Sequence, residues 1–196
     1  MRRPTYLTRP AALAAVLAAA VLLPAAPAAQ ADDDAGWQPY HGQDTDAPAG
    51  TLCPFHLHIA ALIDQEETKT VTRYPDGSPA KVLWRGPLIL RYTNVDTGAH
   101  VDRDQSGRAT EYRRPDGSTL WDVPRTSHIS AEIHPGNPYH AVGDYLFSGG
   151  AVLLVHPDHQ VEVLVQHQVE NLCRTLARPA VGVRPRRGCG RTPVDR

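Results

Sequence analysis

Between positions 55 and 166 apolar residues alternate with polar ones in short stretches, the period of strands that bury one face. The pattern predicts strands at 55–63, 67–74, 80–85, 87–93, 99–105, 109–113, 118–123, 126–134, 145–155 and 160–166. The breaks between them carry turn chemistry. Pro75-Asp76-Gly77-Ser78 and Pro115-Asp116-Gly117-Ser118 put Pro where φ is fixed and Gly where φ can be positive, and Asp96-Thr97-Gly98 and His156-Pro157-Asp158-His159 are similar. Such turns predict antiparallel neighbours, so the expected fold is all-β, a single antiparallel β-barrel or β-sandwich. Ser148-Gly149-Gly150, inside an apolar run, reads as a bulge. Val169, Leu172, Cys173 and Leu176 share one helical face and predict one short C-terminal helix over 169–176, packed back on the sheets.

The two ends read differently. Arg2, Arg3 and Arg9 precede a run from Ala11 to Leu23 made only of Ala, Val and Leu, which is too short to cross a layer that needs about 20 apolar residues. Pro24, Pro27 and Ala29-Gln30-Ala31 follow, so residues 1–31 are expected to be a signal peptide cleaved after Ala31, leaving an extracellular protein without a transmembrane segment. Residues 32–50 hold three leading acids, several Gly and Pro and no apolar period, which predicts a flexible linker on which only Trp37 and Tyr40 offer docking groups. A β domain over 51–176 is then followed by a disordered basic tail over 177–196.

Charge sharpens the division. Residues 32–173 carry ten basic and twenty acidic side chains, whereas 174–196 carry seven arginines against Asp195. An acidic body argues against nucleic-acid binding by the folded domain, because phosphate contacts need clustered Lys and Arg. Three cysteines remain after the expected cleavage. Cys53, opening the first strand, and Cys173, in the last helix, are expected to form a disulfide, which leaves Cys189 over and makes the protein a monomer, or a dimer through that thiol.

Cys53-Pro54-Phe55, Tyr74-Pro75-Asp76-Gly77-Ser78, Gly86-Pro87-Leu88, Thr93-Asn94-Val95-Asp96-Thr97-Gly98, Ser106-Gly107, Asp116-Gly117-Ser118 and Leu172-Cys173 occur in one order. That order resembles a group of small secreted actinobacterial β proteins with no assigned activity. The resemblance spans Cys53 to about Leu176 and implies a scaffold, not a chemistry. His56, His58 and the Arg-rich end with Cys189 depart from it.

Ten histidines invite a metal reading. His56 and His58 alternate on one face of strand 55–63, and His128, Ser130, Glu132 and His134 share one face of strand 126–134. Were those strands neighbours, His56, His58, His128, Glu132 and His134 would make a zinc or copper site; otherwise they are two solvated strand faces. Ser130 beside His and Glu supplies only the ingredients of a hydrolytic site. The chain has no Gly-x-Ser-x-Gly elbow, His-Glu-x-x-His helix, or dinucleotide or phosphate loop. Trp84, Tyr92, Tyr112, Trp121, Tyr139 and Tyr145 line a carbohydrate or lipid pocket if they face one cavity, although core packing accounts for Trp84 and Tyr92 more simply. The expectation is a secreted, non-catalytic β domain without a cofactor, binding a small apolar ligand, an envelope polymer or a protein. The alternative is a metal-binding protein or metal-dependent enzyme built on the His/Glu cluster.

Overall fold

Both Pro-Asp-Gly-Ser segments fold as the same turn. Asp76 Oδ1 accepts the backbone N–H and the hydroxyl of Ser78 at 2.9 and 2.6 Å, and Asp116 Oδ1 accepts those of Ser118 at 2.8 and 2.7 Å. The serine groups hold both carboxyls below the ordinary range. The first turn joins β4 (Glu66–Arg73) to β5 (Pro79–Gly86), and the second joins β8 (Gly107–Arg113) to β9 (Thr119–Val123).

The computed structural model describes residues 36–177. The other strands in it are β1 (Gln38–Tyr40), β2 (Thr45–Ala47), β3 (Leu57–Asp64), β6 (Leu88–Asn94), β7 (His100–Asp104), β10 (His128–Ile133), β11 (Gly143–Val155) and β12 (Val161–Asn171), with one helix, α1 (Leu172–Ala177). All pairings are antiparallel. One sheet runs β1-β4-β5-β8-β9-β11-β10, with β12 on the other edge of β11, and the second runs β2-β3-β6-β7. The sheets form a sandwich-like pair, not a closed barrel, so of the two architectures expected from the strand pattern the chain adopts the sandwich. The expected signal peptide at 1–31 with its cleavage after Ala31, the start of the expected linker, and Cys189 with the expected basic tail from 178 onward lie outside the described residues.

The sheets meet through bends, not loops. Gln65 alone separates β3 from β4, Pro87 alone separates β5 from β6, and Gln105-Ser106 separate β7 from β8. Backbone pairing continues around the corner: Gln65 N–H donates to Pro87 O at 2.9 Å and Gln105 N–H to Leu88 O at 2.8 Å. Strands that change sheet in this way turn at points where the backbone can bend sharply. Gly86 is such a point. Its φ is +135°, and a Cβ there would lie 2.2 Å from Gln65 O and 2.8 Å from Glu66 Cα, both backbone atoms. Gly86→Ala is therefore expected to lower stability by roughly 2 kcal/mol or more, measured by urea denaturation. Gly77→Ala, also at positive φ but with open space around the new Cβ, is the control and should lose clearly less. Equal losses at the two positions would show that the corner tolerates a side chain.

Strand β11 organises the core. One edge pairs with β10 up to Ser148 and with β9 from Ala151 onward, the switch falling at the bulge that Gly149 (φ 74°) and Gly150 (φ 98°) make possible. Its faces serve two clusters. Leu146 joins Ala47, Leu52, Phe55, Leu57, Ile59, Tyr92, Leu172 and Leu176 beneath the four-stranded sheet, while Phe147, Ala151 and Leu153 join Ala131 and Val161. Cys53 and Cys173 form a disulfide within the first cluster, with Cα atoms 5.3 Å apart. Arg103 of β7 donates from Nε and Nη2 to both carboxylate oxygens of Glu170 on β12, each at 2.7 Å, a bidentate tie from one sheet to the other.

Two expectations differ from the fold. Residues 38–40 and 45–47 of the expected linker are strands: β1 lies on the edge of β4, and β2 lies on the edge of β3 with Ala47 in the core. The helix starts at Leu172, not Val169, because Val169 pairs with Phe147 and Asn171 with Tyr145 in the ladder. Asn171 Oδ1 then accepts the N–H of Arg174 at 2.9 Å and caps the helix at its observed start.

Candidate ligand cleft

The corner and the curl of the larger sheet shape an open cleft of about 240 Å³. Tyr40 of β1, Trp84 of β5 and Trp121 of β9 line it. Tyr40 meets Trp84 edge-on at 4.7 Å between ring centroids, and Trp84 lies 5.2 Å from Trp121 at a tilt of 53°. Cross-strand pairing sets this row. Trp84 sits opposite Ala109, whose small side chain leaves room, and Trp121 sits opposite Glu111 and Leu153. The Trp84 indole N–H donates to buried Glu111 at 3.0 Å, and Arg113 holds that carboxylate at 2.7 Å, which fixes the ring before any ligand arrives. Trp37 lies beside the cleft, its ring 4.2 Å from the Arg85 guanidinium, which also pairs with Glu67 at 2.9 Å.

Polar groups complete the wall. Glu66 and Arg108 line the cleft, and among the described residues neither side chain has a hydrogen bond or ion pair; nor does the Trp121 indole N–H. Burial, and then the nearby charge of Asp64, raise the Glu66 carboxyl above its usual range. Gln105 stands at the back of the cleft with its amide engaged, donating to the Tyr92 hydroxyl and accepting from the N–H and hydroxyl of Ser130 at 3.1 and 3.2 Å.

Behind Gln105 lies a buried acidic group. Asp144, the second residue of β11, lies directly across from Glu132 of β10, is 1% exposed, and has no hydrogen-bond partner for either carboxylate oxygen among the described residues. Burial, and then the charge of Glu132, push its carboxyl up to about 8. Burial, followed by the Asp144 charge, also holds the Tyr92 phenol above its ordinary range.

The five residues of the expected metal set lie on two faces. His56 Nε2 and His58 Nδ1 approach Asp46 Oδ1 at 2.6 and 3.7 Å. Thr45, the residue before Asp46 in β2, donates instead to Glu132 at 3.0 Å, and successive strand residues point to opposite faces, so the smaller sheet separates the His56/His58 pair from Glu132. His134 Nε2 lies 3.6 Å from Glu132 Oε2, and His128 is bonded to Ser148 at 2.9 Å. Among the described residues no three His, Cys, Asp or Glu side chains are arranged to hold a metal ion. Of the aromatic residues named from sequence, Trp84 and Trp121 share the cleft; Tyr92 is wholly buried; Tyr112, Tyr139 and Tyr145 do not line it.

Sequence reasoning missed Tyr40, Glu66 and Arg108 as cleft residues and Asp144 as a buried acid. The parity of Glu66 with Thr68 and of Trp84 with Val82 marks shared faces, but only the curl of the sheet brings β1 and β9 to one cavity. Comparison of the chain with known protein families, with curated proteins and with solved structures found no match in any of the three.

Proposed function

We propose that this protein is a secreted, non-catalytic β-sandwich domain that binds a small molecule, or one unit of an envelope polymer, in the Tyr40–Trp84–Trp121 cleft. The observation that carries the reading is the convergence of an aromatic row with three polar groups that have no partner among the described residues, in one concave site. Recognition sites are mostly apolar concavities with a few oriented polar groups, and groups already held in place lose little freedom on binding. Export is supported by the charged and apolar start of the chain and by a disulfide inside the domain. No helix among the described residues is long and apolar enough to cross a membrane.

All three tryptophans of the chain line or flank the cleft, so their emission reports its occupancy directly. A ligand from a screen of small molecules and soluble envelope glycans should change that emission saturably. Trp121→Ala should weaken its binding by at least about tenfold while leaving the far-ultraviolet circular dichroism unchanged. A saturable binder indifferent to Trp121→Ala would place the binding site elsewhere on the protein.

A further inference from the structure

Resting on the cleft reading above, we propose that the ligand is a neutral, hydroxyl-rich saccharide, bound one pyranose ring at a time against Tyr40, Trp84 and Trp121. A pyranose has an apolar C–H face and a rim of hydroxyls that both donate and accept hydrogen bonds. The cleft matches both parts. Its aromatic row offers electron-rich ring faces and apolar area. Its wall offers the Glu66 carboxylate as acceptor, and the Arg108 guanidinium and Trp121 indole N–H as donors, all three without protein partners among the described residues.

Charge selects against other small ligands. Glu66 and Arg108 offset each other, and Arg85 already pairs with Glu67, so an anion or a cation meets one wall group of its own sign. A wholly apolar ligand would cover Glu66 and Arg108 without replacing their water, whereas hydroxyls satisfy both. Size agrees with a single ring, since about 240 Å³ lies below the roughly 300 to 1,000 Å³ of sites for drug-sized molecules. The site is built for holding, not cleaving. Glycoside hydrolysis generally uses two carboxyl groups flanking the bond, and Glu66 is the only carboxylate among the described residues lining the cleft. Asp64, whose charge acts on Glu66, is occupied by the Gly42 N–H at 3.0 Å and by His41 at 3.5 Å.

The test is a tryptophan-emission titration of the protein with linear hexamers of glucose, N-acetylglucosamine and mannose, each taken to millimolar concentration. At least one hexamer should give a saturable change. Glu66→Gln and Arg108→Gln should each weaken it roughly tenfold, the effect of losing a hydrogen bond to a charged group. Trp121→Phe, which keeps a ring and removes the N–H, should weaken it several-fold, with unfolding midpoints confirming that each variant is folded. If all three hexamers leave the emission unchanged while the uncharged apolar dye N-phenyl-1-naphthylamine binds in a manner lost in Trp121→Ala, the ligand is apolar: the saccharide class is overturned and the cleft reading stands. If neither the hexamers nor the dye changes the emission, both readings fail together.

Discussion

At pH 8 and above, the Asp144→Asn protein should be more stable than the parent, by up to about 5 kcal/mol. The folded-state carboxyl of Asp144 titrates near 8, against 3.8 for an unhindered aspartate. A group whose pKa is raised by folding stabilises fully while protonated, below about pH 4, and that stability is lost progressively as pH rises towards 8. The cause is first the burial of a carboxylate that has no hydrogen-bond donor among the described residues, and then the charge of Glu132 directly across from it. Asparagine keeps the shape and carries no charge, so the difference between variant and parent should be near zero at pH 4 and grow to its full value by pH 8. Urea denaturation at intervals of one pH unit checks this. Parallel stability curves for the two proteins would mean that the Asp144 charge is compensated in the folded state.

Loss of the Cys53–Cys173 bond should be comparably costly. It closes a loop with a sequence separation of 120, for which chain-entropy arguments give about 4 to 5 kcal/mol. A double Cys53→Ala, Cys173→Ala variant loses that constraint and also leaves space among Leu52, Phe55 and Leu172. Against a domain stability of roughly 5 to 15 kcal/mol, such a loss brings the fold close to its limit at 37 °C. The midpoint of urea unfolding should fall steeply; a drop equivalent to less than about 1 kcal/mol would show that packing alone holds the segment before β3 against α1.

Most of the strand ladder was legible because local chemistry determines it. Asp76 and Asp116 each hold their turn through one serine two residues on, a fact contained in four consecutive residues. The glycine bulge in β11 was legible for the same reason, whereas the cysteine pair, 120 residues apart, was legible from the oxidising compartment expected of an exported chain. What escaped depended on tertiary context. Gln38–Tyr40 and Thr45–Ala47 are too short and polar to show a period, and they order only by completing the edges of β4 and β3. Val169 and Leu172 share a helical face, yet the ladder with β11 claims the first and leaves the helix the second. Alternation with Val82 favours the core for Trp84, but its ring is half-buried because a cleft opens beside it. Asp144 carried no signal at all. An acid at the head of a strand usually faces water, and only pairing with β10 beneath the smaller sheet turns it inward.

The sheet-changing corners also determine where the chain will accept added sequence. At Gln65, Pro87 and Gln105-Ser106 a ladder runs unbroken through each bend, so even a single inserted residue shifts register in two sheets at once. At Gly77 a Cβ meets no atom within 4 Å, and the turn binds chiefly to itself. Epitopes, fluorophores or fusion partners therefore belong at the Pro75–Ser78 tip, and the bent end is the one to leave untouched in any engineered form of the molecule.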